Sequence, residues 1–191
     1  MKGCCGGYAP LDKAISQFRS GYVAALVQAA GHAAENKFKD HPYAFPLSEA
    51  LGNAHKSISA LARAANVSRD TVYSIDGIED MMKNPGDAYS LDAAMEQMPS
   101  TAGKRVLQGN LERMTFGLGQ AERDFKAAYV HEVYEEAGSL DKAAEILDVD
   151  ARTVWNHLKH YRELELPEVP YQREFDAMLD KYADVGNQKV A

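Results

Sequence analysis

Apolar residues recur along this chain mostly at intervals of three and four, and that spacing predicts helices from end to end. From Leu11 to about Phe38, the positions Ala14, Ile15, Phe18, Tyr22, Leu26, Ala29 and Ala30 form one apolar stripe, and Gly31 marks an end or a bend. Asp40 to Pro46 holds two prolines and is expected to be a loop, with a short helix from Leu47 to about Lys56 after it. Gly77 to Gly86 is expected to be a loop, and Ser90 to Met98 a short helix stopped by Pro99. From about Gln120 to Ala137, a stripe of Ala121, Phe125, Tyr129, Val133 and Ala137 is widened by Val130 and Tyr134. Beyond Pro167 and Pro170, Tyr171 to Tyr182 makes a last helix, with Phe175, Met178 and Leu179 as its apolar side.

Two stretches repeat at a constant offset of 82 positions, Ser57 to Ile75 and Ser139 to Tyr161. Ser57/Ser139, Ala62/Ala144, Val67/Val149, Thr71/Thr153 and Val72/Val154 are identical, and Asn66 matches Asp148. Each stretch reads as a helix, a turn whose residue tolerates a left-handed backbone, a capping side chain and a second helix. Ser68 and Asp150 are the expected caps, and Ala62 is small because the two helices cross there. This is the helix-turn-helix pattern. The fold class is therefore all-α, with two such units. The expected layout is a flexible leader (1–10), an N-terminal helical domain (11–98), a linker (99–110), a second domain (111–164) and a C-terminal extension (165–191).

Composition narrows the class. Among 191 residues, 46% are apolar and 26% charged, as in an ordinary globular protein. No apolar run is long enough for a membrane span, and the first residues lack a secretory signal, so a cytoplasmic protein without a membrane partner is expected. Cys4 and Cys5, adjacent in a Gly-rich leader, have no further thiol with which to build a zinc site. Met81, Met82, Met95 and Met98 read as core filler, with a methionine-built binding surface as the alternative.

The net charge of −7 weighs against a nucleic-acid partner until it is located. Residues 1–110 carry 11 basic and 11 acidic side chains, and residues 111–191 carry 10 and 17. Ala151 to Arg162 nevertheless holds Arg152, Lys159 and Arg162 with His157 and His160, and no carboxylate.

In a helix-turn-helix the second helix enters the major groove and presents its first turns to base edges. In the C-terminal unit the outward positions are Ala151, Arg152, Trp155, Asn156 and Lys159. Arg152 suits guanine and Asn156 adenine. Thr153, Lys159 and His160 suit phosphate, and His157 belongs to the same basic run. The N-terminal counterparts are Ser68, Arg69, Asp70, Tyr73 and Ser74, a surface with a single base beside Asp70. The plainer alternative is that both helix pairs are structural or bind protein. His131, His157 and His160 lack metal-ligand spacing, and no phosphate loop, nucleophile elbow or catalytic carboxylate pair appears. No enzyme, metal or cofactor is expected.

The segment Gln120 to Tyr161, with its long helix, Gly138, Ala143-Ala144, Thr153-Val154, Leu158, Lys159 and Tyr161, resembles the Fis family. It is also similar to the C-terminal DNA-binding domain of NtrC-type activators, although no ATPase domain accompanies it. The resemblance implies a homodimer joined by the long helices, through Phe125, Tyr129, Val130, Val133 and Tyr134, on a two-fold symmetric DNA site. Asp148 stands where the family has a turn glycine. The segment from ALGNA at Ala50 through LARAANVSRDTVY to Asn84-Pro85 is similar to the antidote proteins of addiction modules. Two functions are thus expected: a sequence-specific transcriptional regulator on double-stranded DNA, or an antitoxin- or antiactivator-type protein gripping a protein partner through its acidic surface.

Overall fold

A computed structural model describes residues 7–36, 44–75, 77–83 and 89–167. Among these residues the chain is all helical, with ten helices and no strand. None of the helices is long and apolar enough to cross a membrane. The Cys4-Cys5 leader, Asn84-Pro85 and the helix expected over 171–182 lie outside the described residues.

Helix α1 (Leu11–Asn36) runs through the middle of the molecule. Every residue from Gly21 to Gly31 is buried, so the single stripe expected from sequence is in fact a wall-to-wall buried segment. A helix apolar all round belongs in a core, and here alanines and glycines let neighbours approach its axis. Gly31 neither ends nor bends α1. A Cβ there would stand 2.1 Å from Cγ of Tyr89, and one at Gly21 would stand 2.2 Å from the carbonyl oxygen of Gln97. Both glycines are seats for other parts of the chain.

Around α1 lie α2 (Ala44–Leu51), α3 (Ile58–Ala64), α4 (Arg69–Tyr73), α5 (Ile78–Lys83) and α6 (Leu91–Glu96). Helix α2 begins before Pro46, inside the expected loop from Asp40 to Pro46. A proline in the first helical turn sacrifices no intrahelical hydrogen bond, so helix and proline are compatible there. Helix α5 likewise occupies part of the expected loop 77–86, because Ile78 buries itself against the core. Met95 and Met98 are buried and Met81 and Met82 half-buried, as filler should be.

The expected linker 99–110 is instead a core helix, α7 (Thr101–Glu112). Ser100 caps it by accepting from the Gly103 amide at 3.1 Å, while Ala102, Val106, Leu107 and Leu111 are buried. Its glycines suggested a boundary, yet Gly103 packs near Met98 and Phe18. One apolar cluster runs from Leu11 to Leu158 across α7, so no break in the core separates the two halves.

Helix α8 (Leu118–Ala137) lies against α1 and α7, with α9 (Leu140–Leu147) and α10 (Ala151–Tyr161) packed on it. Phe18 stacks on Phe125 with centroids 4.2 Å apart, and Phe125 stacks on Tyr129 at 5.4 Å. Inside this core, the Asn110 side-chain amide donates to the Tyr22 hydroxyl at 3.0 Å, satisfying two buried polar groups at once. Glu122 accepts from Arg19 at 2.6 Å and meets Lys126 at 2.7 Å, tying α1 to α8 at the rim. Tyr129 donates to the Ala9 carbonyl at 3.0 Å, so the chain just before α1 is tied to α8 as well.

Candidate nucleic-acid interface

The two repeated stretches fold alike. In α3–α4 the turn residue Asn66 has φ +52°, and in α9–α10 Asp148 has φ +55°, both left-handed as their types allow. Each turn is closed by the same bond: Val67 N–H donates to the Ala62 carbonyl at 2.9 Å, and Val149 N–H to the Ala144 carbonyl at 3.0 Å. Each second helix is capped at the aligned position. Ser68 accepts from the Thr71 amide at 3.1 Å, and Asp150 from the Thr153 amide at 2.7 Å. Gly138, at φ +71°, stops α8, and Ser139 then caps α9.

Helix α10 buries Val154 and Leu158 and leaves Arg152, Trp155, Asn156 and Lys159 exposed, with Arg162 continuing the row beyond its last turn. These positions share one helical face. From Ala151 to Arg162 the face carries three full positive charges and no carboxylate, and the exposed Glu163 follows directly. Trp155, 42% exposed, sits between two of them, its ring centroid 5.9 Å from Lys159 Nζ and 5.6 Å from Arg162 Cζ. Arg162 was not among the expected site residues; its spacing of three from Lys159 is the signal that locates it.

Three expected contacts point elsewhere. The Thr153 hydroxyl donates to Asp150 at 2.9 Å and belongs to the cap. His160 faces α8, with Nε2 3.4 Å from the buried Asp124 carboxylate, which also accepts from Gln120 at 2.7 Å. His157 is half-buried, and burial pushes its imidazole below the usual pKa, with Lys126 and His160 adding to the shift. Both histidines therefore serve the packing of α10 on α8 more than its outer face. On the other flank, the His131 ring stacks on Tyr161 at 3.8 Å, and the Tyr161 hydroxyl accepts from Arg105 at 3.1 Å. This buttress ties α7, α8 and α10 together, and periodicity along any one helix does not show it.

The expected dimer face is also corrected. Phe125, Tyr129, Val130 and Val133 are all buried inside the chain, and only Tyr134 is partly open. Helices α1 and α7 cover the stripe that was expected to meet a second copy.

In the N-terminal pair, Ser68, Arg69, Asp70, Tyr73 and Ser74 are exposed, Tyr73 by 55%. The Ser74 hydroxyl donates to the Thr71 carbonyl at 2.7 Å and the Ser68 hydroxyl lies 2.9 Å from that of Thr71, so both are engaged locally. Helix α4 has 5 residues against 11 in α10, and so a much shorter exposed face. Lys56 and Arg63 are exposed nearby and add charge that the second helix lacks. Among the described residues no cluster of three metal-capable side chains exists. Neither a protein-family model, nor a curated protein, nor a solved structure matches the chain.

Proposed function

We propose that the chain is a sequence-specific binder of double-stranded DNA acting in transcriptional regulation, with α10 as the main recognition helix. The observation that carries this reading is the exposed row Arg152, Trp155, Asn156, Lys159 and Arg162, free of carboxylates, on a helix capped and closed as a helix-turn-helix requires. In this role Arg152 contacts guanine and Asn156 adenine in the major groove, while Lys159 and Arg162 meet phosphate. Among the described acidic residues, the exposed Asp141 and Glu145 lie on α9, while Glu135 lines the same cavity as Trp155 and Arg162. Affinity is then strongly salt-dependent and poor on random DNA.

Fluorescence anisotropy against duplexes selected from a random pool tests the reading. Arg152→Ala is expected to weaken the selected duplex by about tenfold or more and to relax the preference at one base pair. Lys159→Ala should weaken all duplexes alike and lower the salt slope by about one. If neither substitution changes binding, α10 is not the reader. The same acidic rim of α8 and α9, with Glu135, Asp141 and Glu145 exposed, favours a second reading as an interaction protein with a basic partner. No DNA retention at low salt, together with a co-purifying protein, would select that reading.

A further inference from the structure

We infer that a single chain reads two unlike DNA half-sites, the α3–α4 pair serving as the second reader that a partner subunit would otherwise supply. The inference rests on the DNA-binding reading above and goes beyond it in stoichiometry and in the form of the site.

Three observations carry it. The two pairs are the same device: turn residues at φ +52° and +55°, closing bonds of 2.9 and 3.0 Å, and caps at aligned positions. Both are fixed to one strut. The Leu118 amide at the start of α8 donates to the Ala65 carbonyl at 2.7 Å, just before the first turn, and the second pair grows from Gly138 at the far end. Helix α10 folds back along this strut, its His160 3.4 Å from Asp124 and its Tyr161 stacked on His131, so both pairs are carried on one body. The usual way of bringing two readers together is also closed here, since Phe125, Tyr129, Val130 and Val133 are buried within the chain.

The unequal surfaces define the site. Helix α10 presents Arg152, Asn156, Lys159 and Arg162, whereas the first pair presents Arg63, Arg69 and Tyr73 beside Asp70. The half-sites should therefore differ in sequence and in worth. A weak reader held on the same body as a strong one acts at high effective concentration, so it contributes even where it would not bind alone.

The test uses the full chain and DNA selected from a random pool, with complex stoichiometry from analytical ultracentrifugation. The expected site has two different half-sites, occupied by one chain. The double variant Arg63→Ala/Arg69→Ala, checked by thermal melt for an intact fold, should bind this duplex about tenfold more weakly. It should bind a duplex with the first pair's half-site scrambled as well as the unaltered protein does. A palindromic site holding two chains, or a single half-site indifferent to Arg63 and Arg69, overturns the inference and leaves α10 as a DNA reader. A pool that yields no preferred sequence removes the DNA-binding reading itself.

Discussion

Arg162 places its guanidinium carbon 5.6 Å from the ring centroid of Trp155, seven residues and about two turns further along the same face. The pair joins the one tryptophan of the chain to the cation that extends the proposed recognition surface. Cation–π attraction of this kind steadies an exposed indole by roughly 0.5–1 kcal/mol.

Intrinsic fluorescence consequently reports on the proposed interface without a label. A selected duplex should quench Trp155 emission and shield it from acrylamide. Arg162→Ala should lower affinity for all duplexes and reduce the salt slope by about one, since it removes a phosphate contact and no base contact. Unchanged emission on a duplex that anisotropy shows to be bound would place DNA away from Trp155.

Phe125→Ala separates a core role from a pairing role. With Phe125 stacked between Phe18 and Tyr129, truncation opens a cavity and should cost about 3–5 kcal/mol in urea unfolding, leaving the oligomeric state as it is. A stable variant with an altered sedimentation coefficient would restore α8 as an intermolecular contact.

Gly21→Ala should destabilise the protein although alanine is the better helix former by about 1 kcal/mol. The added methyl meets the Gln97 carbonyl oxygen at 2.2 Å, a backbone atom that moves only with its segment, and overpacking of this kind costs about 1–3 kcal/mol. Gly31→Ala should destabilise as well, because the added methyl meets Cγ of the Tyr89 ring at 2.1 Å and the whole ring must leave its seat. A rise in melting temperature for Gly21→Ala would show that α6 and its following residues do not sit on α1 as described.

The Asp150 cap makes the start of α10 sensitive to acid. The Thr153 amide and hydroxyl hold the Asp150 carboxyl below the usual carboxylate range. Because the folded value is depressed, the contribution is complete above the unfolded value of about 3.9 and is lost as pH falls through the folded one. NMR titration of the side-chain carboxyl should give a midpoint below that of an unstructured peptide, and Asp150→Asn should keep the cap while removing the pH dependence. A midpoint at or above the ordinary value would mean that the cap is not formed in solution.

The turn-and-cap devices were legible because they depend on residues three or four positions apart. Asn66 and Asp148 tolerate a left-handed backbone, Ser68 and Asp150 reach an amide three residues on, and the offset of 82 aligns them. The exposed row of α10 was legible for the same reason, apart from Arg162. Contacts between distant segments were not. His160 against Asp124 and His131 against Tyr161 join residues 36 and 30 positions apart, and nothing in the local pattern of either partner marks the other.

By itself, then, the sequence determined that the chain is helical, where its two repeated turns fall and which face of α10 is basic, because backbone preference and helical periodicity are properties of neighbours. The tertiary structure alone decided what each apolar face meets. A stripe such as Phe125, Tyr129, Val130 and Val133 states that something must cover it, and burial is equally favourable against another copy or against the same chain. Here α1 and α7 are already tethered to α8, and they cover it without the entropy loss of bringing two chains together.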